Sequence, residues 1–158
     1  MKTAAEHKIN LAALDLDRSD TDKAWSLLSA LDTAANTKIH VIDKIRNGIP
    51  ADGIEAILEK TNINRNQLSR ILHISTRQMS RYTGMDRLSP EQSNFLYELA
   101  RIYTKAEDVL GDKMTAEHWL NRKNVALGEQ SPIELLDTAE GVRLVSDLLA
   151  QIEYGFYS

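Results

Sequence analysis

The sequence contains no cysteine. That excludes disulfides and thiolate zinc sites as sources of stability and fits a reducing compartment. Aromatic residues are sparse, at 6% of the chain. No apolar run approaches the roughly 20 residues that span a bilayer. The opening stretch "MKTAAEHKINLAALDLDRSD" has too short and too broken an apolar core for a secretory signal. The expected location is the cytoplasm, with no membrane contact. Catalytic patterns are missing too. His7, His40, His73 and His118 are scattered, without metal-ligand spacing such as H-E-x-x-H. "EHW" at 117–119 is a lone acid beside an imidazole and reads as surface. "RNGIPADG" at 46–53 has two glycines but lacks the Lys-Ser/Thr of a phosphate-binding loop. The expectation is a protein that is not an enzyme and needs no cofactor.

What is present is helical. The 158 residues, 42% apolar and 27% charged, suit one or two small soluble domains. A chain of this size buries roughly two-thirds of the surface it exposes when unfolded. "SPEQ" at 89–92 offers a Ser cap, Pro at the first helical position and Gln at the third. "SPIE" at 131–134 repeats the device, and "STRQ" at 75–78 and "NRNQ" at 64–67 are close variants. Each cap lets a side-chain oxygen accept from an otherwise unpaired first-turn N–H. Phe95, Leu99, Ile102, Ala106 and Val109 share one helical face, and Gly111 stops that helix. Val142, Val145, Leu149 and Ile152 form a second stripe, ended by Gly155. Trp25, Leu28 and Leu31 form a third, and Ile39, Ile42 and Ile45 suggest a fourth. No period-2 strand, repeat or low-complexity segment is visible. The fold class is all-α: helices in 1–50, a helix-turn-helix region in 51–110, and a C-terminal helical domain in 111–158. Short linkers fall near 47–53 and 111–116.

Residues 64–82 have the length of two short helices and a tight turn. The first helix spans about 65–72 and buries Leu68, Ile71 and Leu72. "HIS" at 73–75 is the turn, with Ile74 tucked inward. The second spans about 76–82 and buries Met79. Ser69 is small enough for a close crossing. His73 stands where many such motifs have Gly, which makes a left-handed turn residue less comfortable. The outward residues Thr76, Arg77, Gln78, Ser80 and Arg81 would face a DNA major groove, where Arg bonds guanine bidentately and Gln bonds adenine. Arg65, Gln67 and Arg87 would meet phosphates and set orientation. A single module binds weakly, so a dimer on two half-sites is expected. The plainer alternative is a helical hairpin with a solvated basic face.

Formal net charge is −4, which speaks against a DNA partner until its distribution is read. Residues 60–90 carry six Lys/Arg against Asp86 alone. Residues 104–158 carry five Lys/Arg against ten Asp/Glu. The basic charge lies where the reading helix is expected.

The C-terminal third is more specific. Trp119 and Leu120 are followed by Asn124, Leu127 and Gly128. Then come Pro132, Leu135 and Leu136, Thr138 and Gly141, an amphipathic helix, and the tail "IEYGFYS". This spaced pattern resembles the toxin-binding domain of Xre-type antitoxins of RES–Xre and related toxin–antitoxin systems, the antitoxin Xre/MbcA/ParS C-terminal domain. The helix-turn-helix and the segment after it also look like the family's central region. The resemblance covers roughly residues 50–158 and adds little to 1–50. Glu129 departs from it, standing where a second Gly is frequent.

Read physically, most of these motif residues suit architecture. Trp119 and Leu120 are expected to pack against the last helix. Gly128 and Gly141 suit positive φ or close approach. Asn124 suits a cap or a loop-backbone bond. The contact surface is better sought in the tail: Tyr154, Phe156 and Tyr157 put three aromatics in four residues, with Gly155 and Ser158 between and after them. The alternative is that these rings fold back on their own core.

The resemblance implies a RES-domain, NAD-degrading toxin as partner, whose active-site entrance the C-terminal domain and tail would block. It also implies an autorepressor that binds its operon's promoter. Residues 1–50, with Trp25, Leu28, Leu31, Ile39 and Ile42, would support a homodimer. The rival readings are a stand-alone helix-turn-helix regulator without a toxin and a protein-only helical adaptor.

Overall fold

Short polar signals set where the helices start. Asn64 Oδ1 accepts from the Gln67 N–H at 2.9 Å, and Gln67 Oε1 accepts from the Asn64 N–H at 3.0 Å. Ser75 with Gln78 and Ser89 with Gln92 make the same reciprocal pair. Each box satisfies two backbone donors that a helix start leaves open. The computed structural model describes residues 11–28 and 37–155, with side chains described for 20–28 and 37–155. Among them run α1 (Leu11–Leu28), α2 (Lys38–Asn47), α3 (Asp52–Lys60), α4 (Arg65–Leu72), α5 (Thr76–Arg81), α6 (Pro90–Leu110), α7 (Lys113–Asn121) and α8 (Ala139–Glu153). Short 3-10 turns lie at Val125–Leu127 and Pro132–Leu135. The fold class is all-α.

The longest helix, α6, is the central pillar. The other helices that pack on it are α1, α2, α3, α4, α7 and α8. A helix so surrounded needs a broad apolar face. It buries Leu96, Leu99, Ala100, Ile102, Tyr103 and Ala106. Gly111 ends it with φ 100°, in the left-handed region that glycine enters without penalty. Buried Ser93 is satisfied, because its Oγ accepts from the Ile49 N–H at 2.8 Å.

Several expectations change. Linker 111–116 is mostly helix, because Asp112 accepts from the Thr115 N–H at 2.7 Å and starts α7 at once. Segment 47–53 is pinned: Leu88 N–H donates to Ile49 O and Ala51 N–H to Asp86 O, both at 2.9 Å. "SPIE" produces only a 3-10 turn. There Glu134 accepts from both the amide and the hydroxyl of Ser131, each at 2.9 Å. The turn stops because Thr138 caps a new helix, accepting from the Gly141 N–H at 2.9 Å. On α2, Val41 is the buried residue, whereas Ile39 and Ile42 are 66% and 41% exposed. Trp25 and Leu28 are buried in the chain's own core, and Lys44 Nζ lies 4.2 Å from the Trp25 ring centroid. They are not available to a partner. Leu31 lies outside the described residues.

The expected seat of Trp119 and Leu120 also shifts. Helix α7 packs mainly on α6 and the Pro132–Leu135 turn, and α8 packs on those same two elements. Leu120 is buried and Trp119 half-buried against the core. Turn and pillar thus stand between α7 and α8.

Candidate functional site

Helices α4 and α5 form the two arms of a helix-turn-helix. Leu68, Ile71, Leu72 and Met79 are buried, and Ile74 packs on the core. These apolar pegs fix the angle between the arms. His73 has φ 56° and ψ 37°, the left-handed conformation that the motif's turn demands. Its side chain is anchored on both sides. Nε2 lies 2.7 Å from Asp137 O, and the ring meets Phe95 edge-on with centroids 5.1 Å apart. These contacts hold a non-glycine residue in a conformation that glycine adopts at no cost.

Thr76, Arg77, Gln78, Ser80 and Arg81 are all exposed on α5. Arg77 and Arg81 stand one turn apart on one face. Neither guanidinium has an internal hydrogen bond or ion pair among the described residues. They are free to meet phosphate or guanine. Gln78 is not free in the same way. Its Oε1 accepts from the Ser75 N–H at 2.9 Å. A bidentate adenine contact needs that oxygen too, so it would require opening the capping box. Ser80 Oγ donates to Thr76 O at 3.0 Å.

The three residues expected near phosphates each have an internal partner. Arg65 pairs with Glu55 at 2.8 Å on the surface. Such an exposed pair contributes about 0–1 kcal/mol and can be exchanged. Gln67 completes the Asn64 cap with Oε1 and donates to Asn121 Oδ1 at 2.9 Å with Nε2. Arg87 donates to Gly48 O at 2.8 Å. Gln67 and Arg87 therefore act inside the molecule, tying α4 to α7 and the 86–88 segment to the end of α2.

Glu117 has a task that sequence reasoning missed. Its Oε1 accepts from the Tyr103 hydroxyl on α6 and from the Asn62 N–H at 3.1 Å. One carboxylate so joins the pillar, α7 and the chain entering α4. Burial pushes the Tyr103 hydroxyl well above its usual range, and the Glu117 carboxylate pushes it further. Sequence spacing carries no signal for a bond between residues 55 positions apart. Among the described residues, no three His, Asp or Glu side chains gather as a metal site.

Beyond α7, the motif residues build a compact bend. Asn124 Oδ1 accepts from the Ala126 N–H at 2.9 Å, and its own N–H donates to Gln130 O at 3.0 Å. Gly128 and Glu129 both have positive φ, 66° and 65°. Glu129 thus holds a conformation that glycine would hold with less strain. Leu127, Pro132 and Leu136 are buried, and Leu135 is half-buried. Gly141 answers a close approach. A Cβ placed there would lie 1.7 Å from Leu135 O.

Helix α8 buries Val142, Val145 and Leu149. Its outer face exposes Leu144, Asp147, Gln151 and Tyr154 at helical three- and four-residue spacing. Leu144 is 48% exposed and Tyr154 74%. The Tyr154 ring does not fold back on the core. Gly155 follows with φ 65°. Phe156, Tyr157 and Ser158 lie outside the described residues.

Two family models match this geometry. Residues 40–101 match the antitoxin Xre-like helix-turn-helix domain, from α2 through most of α6. Residues 105–155 match the antitoxin Xre/MbcA/ParS C-terminal toxin-binding domain. The chain is 32% identical to "Antitoxin Xre" of Yersinia enterocolitica over 120 residues, which is 75% of this chain and 81% of the relative. It is 28% identical to "Antitoxin Xre" of Photorhabdus laumondii over 121 residues, 75% of this chain and 82% of that relative. A "Prs ADP-ribosylating antitoxin" of Sphingobium sp. is 27% identical over 127 residues, 74% of this chain and 80% of that relative.

Proposed function

The chain belongs to the Xre-type antitoxins, and from that premise we propose that it neutralises a RES-type, NAD-degrading toxin and represses its own operon. As an antitoxin of a toxin–antitoxin system, it joins a helix-turn-helix domain to a toxin-binding domain. The RES identity of the partner rests on the resemblance of the 119–141 pattern. So does the cytoplasmic setting in which DNA and toxin would meet.

One observation carries the DNA half of the reading. On α5, Arg77 and Arg81 are exposed, share a face and lack internal partners, while Met79 anchors the opposite face. In this reading Arg77 and Arg81 make the decisive contacts, with Thr76 and Ser80 beside them. Gln78 contributes its free amide N–H group. Arg65 exchanges Glu55 for a phosphate.

On the toxin side, Tyr154 and the tail through Ser158 would block the active-site entrance. Leu144 would extend that surface along α8. Its exposure and that of Tyr154 support an aromatic and aliphatic anchor of the kind that dominates interface energies. The chain would act as a homodimer on two half-sites. The exposed Ile39 and Ile42 of α2 are the surface in its N-terminal segment that supports self-association.

The test is the double change Arg77→Ala and Arg81→Ala. Binding to a duplex covering the DNA upstream of the chain's own reading frame should drop at least tenfold. Each base-reading arginine is worth about 1–3 kcal/mol. Neutralisation of the neighbouring reading frame's product should persist. Unchanged duplex affinity in the double variant removes the groove assignment.

A further inference from the structure

The turn of the helix-turn-helix is bonded to the loop that starts α8. Leu72 before His73 is buried and Ile74 after it packs on the core. Helix α5 begins two residues later. The backbone angles of His73 therefore set the direction in which α5 leaves α4. Those angles are left-handed, and any side-chain-bearing residue holds them only under external constraint. The constraint comes from two directions. The ring rests edge-on against Phe95 of the pillar, and Nε2 lies 2.7 Å from the Asp137 carbonyl. A carbonyl only accepts, so Nε2 carries the proton and donates it to this bond. Asp137 immediately precedes Thr138, the cap of α8. The outward face of α8 carries Leu144 and Tyr154.

We propose that His73 is a positioning residue that couples the two sites. Through the Asp137 carbonyl it ties the direction of α5 to the placement of the loop that starts α8. The other polar bridges between these parts hold different elements. Gln67 reaches Asn121 and Asn62 reaches Glu117, so they fix the start of α4 to α7 and leave α5 untouched. Beside the His73 bond lies a cleft of about 200 Å³, bordered by Gln67, Arg70 and Ile71 on α4 and by Asn121, Glu134 and Asp137 across it. A cleft gives the α8-capping loop room to shift against α4, which a close-packed seam would deny. A toxin that moves this loop on docking also moves or frees His73, and with it α5. Duplex binding then depends on whether toxin is bound, and the dependence is reciprocal.

This inference rests on the two-site reading above. Its test compares the full-length chain with the His73→Gly and His73→Phe variants. Glycine accepts the left-handed angles and removes the ring. Phenylalanine keeps a ring against Phe95 and removes the donor. Affinity for the upstream duplex is measured with and without a saturating amount of the neighbouring reading frame's product. Hydrogen exchange of the α5 amides is followed alongside.

In the wild-type chain the toxin should change duplex affinity by about fivefold or more. In both variants that factor should fall to within about twofold of unity, with toxin affinity and cooperative melting retained. The α5 amides should exchange faster in both. A merely structural role would move melting and leave the coupling factor alone. Variants that keep the wild-type factor overturn the proposal. A wild-type chain that binds both ligands with a factor of one overturns it too, and leaves the two-site reading standing. A wild-type chain that fails to bind duplex or toxin overturns that reading and this inference with it.

Discussion

Gly141→Ala adds one methyl group, and the structure says where it lands. The new Cβ would lie 1.7 Å from Leu135 O and 2.7 Å from Leu135 C. An ordinary Cβ contact begins at 3.4 Å. The start of α8 must therefore separate from the Pro132–Leu135 turn by about 1.7 Å along that line. The obstacle is backbone, so no rotamer change relieves it. Overpacking of this kind costs about 1–3 kcal/mol, and a backbone clash belongs at the upper end. Alanine returns up to about 1 kcal/mol of helix propensity, leaving about 2 kcal/mol net. The Thr138 bond to the Gly141 N–H is strained in addition. The measurement is urea unfolding followed by circular dichroism, with the midpoint falling and the slope unchanged. Gly111→Ala is the control. That site has φ 100° and open space around it, so only the left-handed strain of about 1–2 kcal/mol applies. Should Gly141→Ala leave the midpoint where it was or raise it, the close approach at Leu135 is not as described and the account of the motif glycine fails.

Two further outcomes follow from the geometry. The Tyr103 hydroxyl is raised above its ordinary 10.0, chiefly by burial and then by Glu117. Its neutral form is favoured in the folded state, so its contribution to stability is full below pH 10 and is lost as pH rises above it. Tyr103→Phe should therefore flatten the alkaline stability loss that begins near pH 10 in the wild-type chain; parallel pH profiles would contradict the buried hydroxyl. For the Arg77→Ala, Arg81→Ala double variant, the slope of log duplex affinity against log salt should shrink by about one for each phosphate that these arginines neutralise, and an unchanged slope would mean that neither arginine touches the backbone.

Local features of this fold were legible because their causes are local. "NRNQ", "STRQ" and "SPEQ" contain both partners of a capping box within four residues, and all three boxes form. Leu68, Ile71, Leu72 and Met79 fall at spacings that one helical face enforces. The same local logic misleads where two uses compete for one side chain. Gln67 and Gln78 suit DNA by residue type and place, but the boxes that start their helices occupy their carbonyl oxygens. "SPIE" carries a helix-start signal, yet Thr138 re-initiates too soon for a helix to follow. On α2, Ile39, Val41, Ile42 and Ile45 spread around the helix, and only packing against α6 and α1 decides that Val41 turns inward. Long-range bonds leave no trace in the sequence. His73 to Asp137 spans 64 positions, and Tyr103 and Asn62 meet at Glu117 only because α6 brings them together. The 119–141 pattern points to the family, whereas its residues prove mostly architectural, and the exposed Leu144 on α8 falls outside it.

The central claim is that this chain, through its C-terminal surface, shields cells from an NAD-degrading toxin. NAD content tests it directly, measured in cells that express the neighbouring reading frame's product alone, with the full-length chain, or with a chain truncated after Glu153. The account predicts that NAD collapses with the product alone, is preserved by the full-length chain, and falls again with the truncated one although that form still binds the upstream duplex. NAD that stays level with the product alone would contradict the toxin's assignment, and full protection by the truncated chain would contradict the tail's role.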